Sequence, residues 1–182
     1  LEPLLQKSLD PFDVLGVRFE RARRRRMIAT PVALTDLQFG ELKLTPTHRK
    51  PPFIMDCRLA LAFARHAGEL TRIGIRELRF SSIHDVRPVR MHDVRDPPLS
   101  RHALGLAIDV FEIVTSGGAR LVVQRDYWSF DPTILFTEPA LRATGAFRAV
   151  ISPTIDPISH HDHLHLEVAV EKLKRAYGVE VE

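Results

Sequence analysis

The stretch SRHALGLAIDVFEI, residues 100–113, carries a histidine and an aspartate seven positions apart, His102 and Asp109. The part LAIDVF is apolar except for the aspartate, which predicts a buried strand. A buried, unpaired carboxylate is costly, so Asp109 is expected to meet a metal ion, an arginine or several hydrogen-bond donors. The small residues Gly105 and Ala107 let the chain fold closely, so both polar side chains can reach one ion.

A second segment rich in metal-binding side chains lies further along the chain. HHDHLHLEV, residues 160–168, places four histidines in six positions. Side chains two residues apart in a strand point to the same face, so His163 and His165 are expected to share one face. His160 and His161 come just before them, in a predicted turn.

Together the two segments predict one zinc site. Catalytic zinc takes three protein ligands from histidine and carboxylate side chains and leaves a fourth position for water. His102 and Asp109 would supply two ligands, and one histidine of the HxH pair the third. The competing interpretations are an HxH pair without a metal, or an exposed histidine-rich loop that binds metal ions without a function.

The order of the predicted elements indicates the fold class. A helix is expected from Asp56 to about Gly68, followed by a strand in RIGIRELRFSSI, a polar loop, the buried strand and a hairpin partner in ARLVVQ. A helix in EPALRATGAF with Pro139 near its first turn, short strands in AVISPTI and HLHLEVAV, and a charged helix in EKLKRAY complete the order. This order predicts an α+β fold with a mostly antiparallel sheet and flanking helices.

The chain has 182 residues, which suits one domain with an appended segment. Residues 1–50 are rich in proline and mixed in pattern, and are predicted to be an N-terminal arm or irregular cap. Residues 51–182 are predicted to form the main domain. Cys57 is the only cysteine, so no intrachain disulfide is possible, and its apolar neighbours indicate a core position.

The net charge is +3, and five arginines are concentrated in residues 21–26. Such a run suits an anionic partner or a solvated arm. Specific nucleic-acid binding is not expected, because aromatic side chains do not alternate with these arginines. No apolar run approaches the roughly 18 residues of a membrane span, so no transmembrane segment is expected.

The first motif resembles that of a group of zinc peptidases. SxHxxGxAxD fits at each fixed position from Ser100 to Asp109, as in D-Ala-D-Ala carboxypeptidases, lysostaphin-like enzymes and the hedgehog signalling domain. HxxHxH in residues 160–165 resembles the penicillin-insensitive murein endopeptidases. The chain is most similar to the bacterial extensin-like C-terminal domain family, in which SEHxxxxAxDI, a GxR-type hairpin and HxDHFHLD occur in this order. Their counterparts here, SRHALGLAIDV, SGGARLVV and HHDHLHLE, fall within a resemblance that covers residues 51–170.

The resemblance implies roles for several of these residues. His102, Asp109 and His165 would be the zinc ligands. His163 would be the active-site histidine beside the attacking water. Asp162 lies where the carboxypeptidase branch has a catalytic glutamate, and either Asp162 or His163 would act as the base.

Further site residues follow from the same resemblance. His160 matches an additional active-site histidine of the endopeptidase branch. Arg87, with Arg90 as second candidate, would bind a substrate carboxylate, and Ser100 is assigned to the same substrate-binding group. Family members carry cysteines near this arginine that are missing here.

The expected function is therefore that of a zinc metallopeptidase acting on peptidoglycan or its stem peptides, as a D,D-carboxypeptidase or a crosslink endopeptidase. The alternative is a non-catalytic, zinc-containing domain that binds the cell wall, because the hedgehog domain keeps such a site while serving as a ligand. The resemblance implies a periplasmic or cell-envelope location. No protein partner is indicated.

Overall fold

The computed structural model describes residues 17, 19–22, 27–48, 50–89, 95 and 98–168. Ten strands lie in this part: β1 (Glu20–Arg21), β2 (Pro31–Leu34), β3 (Gln38–Phe39), β4 (Leu42–Pro46), β5 (Phe53–Asp56), β6 (Ile75–Ser82), β7 (Ala107–Thr115), β8 (Arg120–Val122), β9 (Phe147–Ile151) and β10 (Leu164–Val168). The described helices are α1 (Cys57–Arg72), α2 (Val123–Asp126) and α3 (Pro132–Ala143). The predicted α+β class is confirmed.

The larger sheet has the strand order β3-β4-β6-β7-β10-β9, and its pairs are antiparallel except for β4 with β6. Strand β6 runs along one edge of β7. The other edge of β7 is shared, because β10 pairs with residues 107–110 and β8 with residues 112–114. Strand β7 is therefore at the centre of the sheet, and the site develops along its first half.

The smaller sheet has the order β1-β2-β5. Residues 31–46 contribute strands to both sheets, because β2 belongs to the smaller one and β3 and β4 to the larger one. The division of the chain at residue 50 stays a prediction. Four of the five arginines in residues 21–26 and the predicted helix EKLKRAY lie outside the described residues.

Helix α1 begins where the sequence predicts. Asp56 is its N-cap, and its side chain accepts a 3.0 Å hydrogen bond from the backbone nitrogen of Arg58. The predicted end near Gly68 is wrong, because the helix continues to Arg72. Leu70 prolongs the apolar face into the core, and Gly74, at φ +91°, makes the turn that Gly68 was expected to make.

The helix predicted in residues 138–147 also begins earlier than expected. Asp131 caps α3 by accepting a 2.8 Å hydrogen bond from the backbone nitrogen of Thr133, and Pro132 opens the first turn. Pro139, expected near the first turn, lies inside the helix. The core lies between the large sheet and α1, where Phe63 contacts Phe39 and Phe147.

Candidate metal centre

Three side chains from separate parts of the chain meet on one face of the large sheet. Asp109 lies on β7, His165 is its direct partner on β10, and His102 comes from the loop before β7. His165 Nδ1 is 2.8 Å from Asp109 Oδ1, His102 Nε2 is 3.1 Å from the same oxygen, and the two nitrogens are 3.2 Å apart. The predicted meeting of the two motifs is confirmed, and these three residues are called the His–Asp–His group below.

The spacing of the His–Asp–His group suits a tetrahedral ion. Ligand atoms about 2.0–2.1 Å from such an ion lie about 3.3–3.4 Å from one another. The three separations in the structure, 2.8, 3.1 and 3.2 Å, are slightly shorter than this. The side chains therefore need only a small outward movement to accommodate the ion. The donors are also two imidazoles and one carboxylate, with their ligand atoms within 4.8 Å of one another. The group could therefore hold a metal ion.

A glycine turn sets the position of His102. Gly105 has φ +67°, and its carbonyl oxygen accepts a 3.1 Å hydrogen bond from the backbone nitrogen of Asp56, just before α1. A Cβ at Gly105 would lie 2.8 Å from that nitrogen, so the close approach requires glycine. Ser100 Oγ accepts a 3.3 Å hydrogen bond from the backbone nitrogen of His102. His102, 1% exposed, is thus held from both ends of its loop.

Asp109 is 5% exposed and yet carries its charge. Burial raises the pKa of Asp109, but hydrogen bonds from His102 and His165 lower it by more than burial raises it. The pKa therefore lies well below that of an ordinary aspartate. Arg87 adds a longer contact, with Nη2 3.7 Å from Asp109 Oδ2. The carboxylate is therefore in the deprotonated form that binds metal ions.

His163 stands beside the His–Asp–His group, between Asp109 and Asp162. Its Nδ1 donates a 2.7 Å hydrogen bond to Asp162 Oδ1, because a carboxylate oxygen only accepts. In the neutral ring Nε2 is then the acceptor nitrogen, and it lies 3.5 Å from Asp109 Oδ1. Phe111 stacks on the imidazole at a centroid distance of 5.0 Å. Asp162 and Phe111 together orient His163 toward the centre of the site.

His160 forms a second aspartate–histidine pair, with a partner that sequence reasoning missed. Asp156 Oδ2 accepts a 3.0 Å hydrogen bond from His160 Nδ1, and Asp156 Oδ1 accepts from the backbone nitrogens of Ser159 and Ile158. These bonds, the one from Ser159 foremost, lower the pKa of Asp156 to about 2. Burial lowers the pKa of His160, so its imidazole is neutral. In the sequence, this pair could have been inferred from the spacing of four residues between Asp156 and His160.

Glu167 lies between His165 and two arginines, Arg101 and Arg148. Glu167 and the two arginines were not identified as site residues from the sequence. His165 Nε2, the nitrogen that faces away from Asp109, lies 3.9 Å from Glu167 Oε2. Glu167 Oε1 is 2.7 Å from Arg101 Nε and 2.9 Å from Arg148 Nε. A carboxylate behind a metal-binding histidine is a recurrent arrangement, although 3.9 Å is longer than a hydrogen bond. Strand parity could have revealed Glu167, because it is two residues beyond His165.

The three predicted substrate-binding residues differ in their positions relative to the site. Arg87 borders the site, held beside Ser100 by a 3.0 Å hydrogen bond from Ser100 N to Arg87 O. Ser100 is largely buried, and its hydroxyl supports the His102 loop. Arg90 lies outside the described residues. The roles of all three in substrate binding stay predictions.

A cavity of about 640 Å³ opens over the His–Asp–His group. Its walls carry His160 and His163, and three arginines with three carboxylates surround them: Arg87, Arg101, Arg148, Asp109, Asp156 and Glu167. These six charges balance, so a bound divalent cation would make the cavity net positive. That charge suits an anionic ligand.

The fold and the site define an α+β protein with a buried His–Asp–His group able to take a metal ion. Residues 13–177 match the family described as Extensin-like protein C-terminus, and the chain belongs to this family. The match takes in residues 13–50, which the resemblance in the sequence did not cover. Curated proteins gave no match, and neither did solved structures. Each helix in the described ranges is too short or too polar to traverse a lipid bilayer.

Proposed function

We propose that this protein is a zinc metallopeptidase that hydrolyses peptide bonds of peptidoglycan, either a terminal D-Ala bond or a crosslink, in the periplasm or cell envelope. The observation that carries the proposal is the position of His163 Nε2, 3.5 Å from Asp109 Oδ1 of the His–Asp–His group. A metal-binding group with a general base beside it and an open cavity above it is the arrangement that peptide hydrolysis requires.

His102, Asp109 and His165 would hold the zinc ion. Bound zinc supplies a Lewis acid that polarises the scissile carbonyl and lowers the pKa of water to about 7. Three such ligands would leave one coordination position for water or substrate. The resemblance of SxHxxGxAxD and HxxHxH to zinc peptidases supports zinc over other divalent ions.

His163 is the better candidate for the base than Asp162. The Nε2 of His163 faces the centre of the site, whereas Asp162 Oδ1 is engaged with His163 Nδ1. His163 would take a proton from the attacking water at Nε2 and pass it to the nitrogen of the leaving amine. Asp162 would stabilise the imidazolium formed in between, as a positioning residue.

His160 and Arg87 would orient the substrate. Because His160 Nδ1 donates to Asp156, its Nε2 is an acceptor that suits a backbone N–H of a bound peptide. Arg87 would bind a substrate carboxylate with its guanidinium group. Its present partners are loose, with Asp85 at 3.4 Å and Asp109 at 3.7 Å, so the side chain can turn to a ligand.

The test combines metal analysis with product analysis. Tag-free protein is expected to contain one zinc per chain, and mass spectrometry of purified muropeptides is expected to show loss of D-Ala or cleavage of crosslinks. His163→Asn should keep the metal and reduce turnover by about 10²–10⁴-fold, because the base is lost. His161→Asn is the matched control, because His161 lies in the same segment and its Nδ1 contacts only the carbonyl of Ile158.

Two outcomes would contradict the proposal. Folded protein without a bound metal would remove the ion on which the chemistry depends. A zinc-loaded protein that binds muropeptides and leaves them intact would instead be a cell-wall-binding domain.

A further inference from the structure

We infer that Arg101 and Arg148 form a second carboxylate-binding site, across the His–Asp–His group from Arg87. This inference rests on the proposed peptidase function and adds a substrate class. The substrate would be a peptide that carries one carboxylate on each side of the bond to be cleaved.

The charge of the two arginines is only partly balanced. Arg101 and Arg148 both approach the same oxygen, Oε1 of Glu167, at 2.7 and 2.9 Å. Across the described ranges, no other carboxylate lies within ion-pair distance of either guanidinium. Two positive charges therefore share one negative charge, and the cluster retains the capacity for a second anion.

The guanidinium N–H groups of Arg101 and Arg148 are also available to donate hydrogen bonds to a ligand. Although both Nε atoms are close to Glu167 Oε1, this oxygen accepts no aligned hydrogen bond. A guanidinium carries five N–H donors in a rigid fork that can bind a carboxylate through two parallel hydrogen bonds. The contacts with Glu167 hold the side chains in place and leave these donors for a ligand.

The arginines face the cavity, and the carboxylate lies beneath them. The side chains of Arg148 and Arg101 are 45% and 27% exposed, and that of Glu167 is 8% exposed. All three border the cavity that contains the His–Asp–His group. An incoming anion would therefore meet the guanidinium groups before Glu167.

The sheet order sets the distance between the two cationic positions. Arg87 Nη2 lies 3.7 Å from Asp109 Oδ2 on β7, and Arg148 lies on β9, with β10 between these two strands. Neighbouring strands are about 4.8 Å apart, so β7 and β9 are separated by about 9–10 Å. An extended peptide advances about 3.3–3.6 Å per residue, so this separation corresponds to about three residues. Peptidoglycan stem peptides carry several carboxylates within such a length.

The experiment compares two synthetic peptides. One is L-Ala-γ-D-Glu-L-Lys-D-Ala-D-Ala with the D-Glu α-carboxylate free, and the other has this carboxylate amidated. Binding is measured by isothermal titration calorimetry on the zinc-loaded full chain carrying His163→Asn, which suppresses turnover. The free carboxylate is expected to improve affinity by about tenfold or more, as a charge-assisted, two-pronged contact does.

Arginine variants test whether the preference for the free carboxylate depends on Arg101 and Arg148. Arg148→Gln and Arg101→Gln should each abolish most of the preference. Arg76→Gln should preserve it, because Arg76 is 43% exposed, like Arg148, but pairs with Glu41 outside the cavity. If Arg101→Gln fails to fold, the more exposed Arg148 still decides the question.

The outcomes separate this inference from the proposed function. Equal affinity for the two peptides, or no binding of either, overturns the second carboxylate site. A preference that survives both arginine substitutions overturns it as well. If the preference is present and depends on the arginines but the unsubstituted protein cleaves neither these peptides nor crosslinked muropeptides, the site stands and the peptidase proposal fails.

Discussion

Replacing Gly105 with alanine tests whether its close approach to α1 positions the metal centre. The backbone at Gly105 has φ +67°, and an added Cβ would lie 2.8 Å from the backbone nitrogen of Asp56. Asp56 also caps α1 and donates to the Gly105 carbonyl, so the strain acts on helix and loop together. His102, three residues before Gly105, would move with the loop.

The magnitude follows from a comparison with Gly118, which has φ +82° and no atom within 4 Å of an added Cβ. Gly118→Ala bears only the left-handed backbone penalty, roughly 1–2 kcal/mol, less a small gain from the stiffer unfolded chain. Gly105→Ala adds overpacking against backbone atoms that cannot rotate away, which costs about 1–3 kcal/mol more. We expect a total loss of about 2–4 kcal/mol for Gly105→Ala.

Urea unfolding measures the free energy of unfolding, and zinc titration of the folded protein measures the metal affinity. Gly105→Ala should lower both, whereas Gly118→Ala should lower only the first, and by less. If both variants lose the same stability and bind zinc equally, the contact between Gly105 and Asp56 does not control the loop, and the reasoning is refuted.

Two further predictions concern the metal ligands and the turn at Asp156. Added zinc should raise the melting temperature of the unsubstituted protein, because a metal that binds only the folded state stabilises it. His165→Ala should abolish this increase. A retained increase after this substitution would show that His165 is not a ligand. Asp156 should stabilise the fold above its ordinary pKa of 3.8 and lose that contribution as the pH falls toward about 2. Asp156→Asn should therefore flatten the loss of unfolding free energy in this pH range, and urea titrations showing the same slope for both proteins would refute the assignment.

Local patterns in the sequence anticipate much of this molecule. The apolar run LAIDVF predicts β7, the alternation in HLHLEV predicts β10, and the Asp56 cap predicts the start of α1, since burial patterns and helix capping act over a few residues. Histidine, aspartate and glycine at fixed spacing indicate the His–Asp–His group, because few donor sets suit a metal ion. The end of α1 and the start of α3 differ from the prediction, because burial of Leu70 and capping by Asp131, and not Gly68 and Pro139, set these two boundaries.

The partners of the site residues depend on how distant segments pack. Pairing of β10 with β7 places His165 opposite Asp109, and pairing with β9 brings Arg148 to Glu167. Neither register is visible in any single segment, because an interstrand contact is chosen by the packing of the whole sheet. A chain segment can therefore specify which side chains are suited to bind an ion, whereas the folded sheet selects which of them meet and which charges remain to receive a ligand.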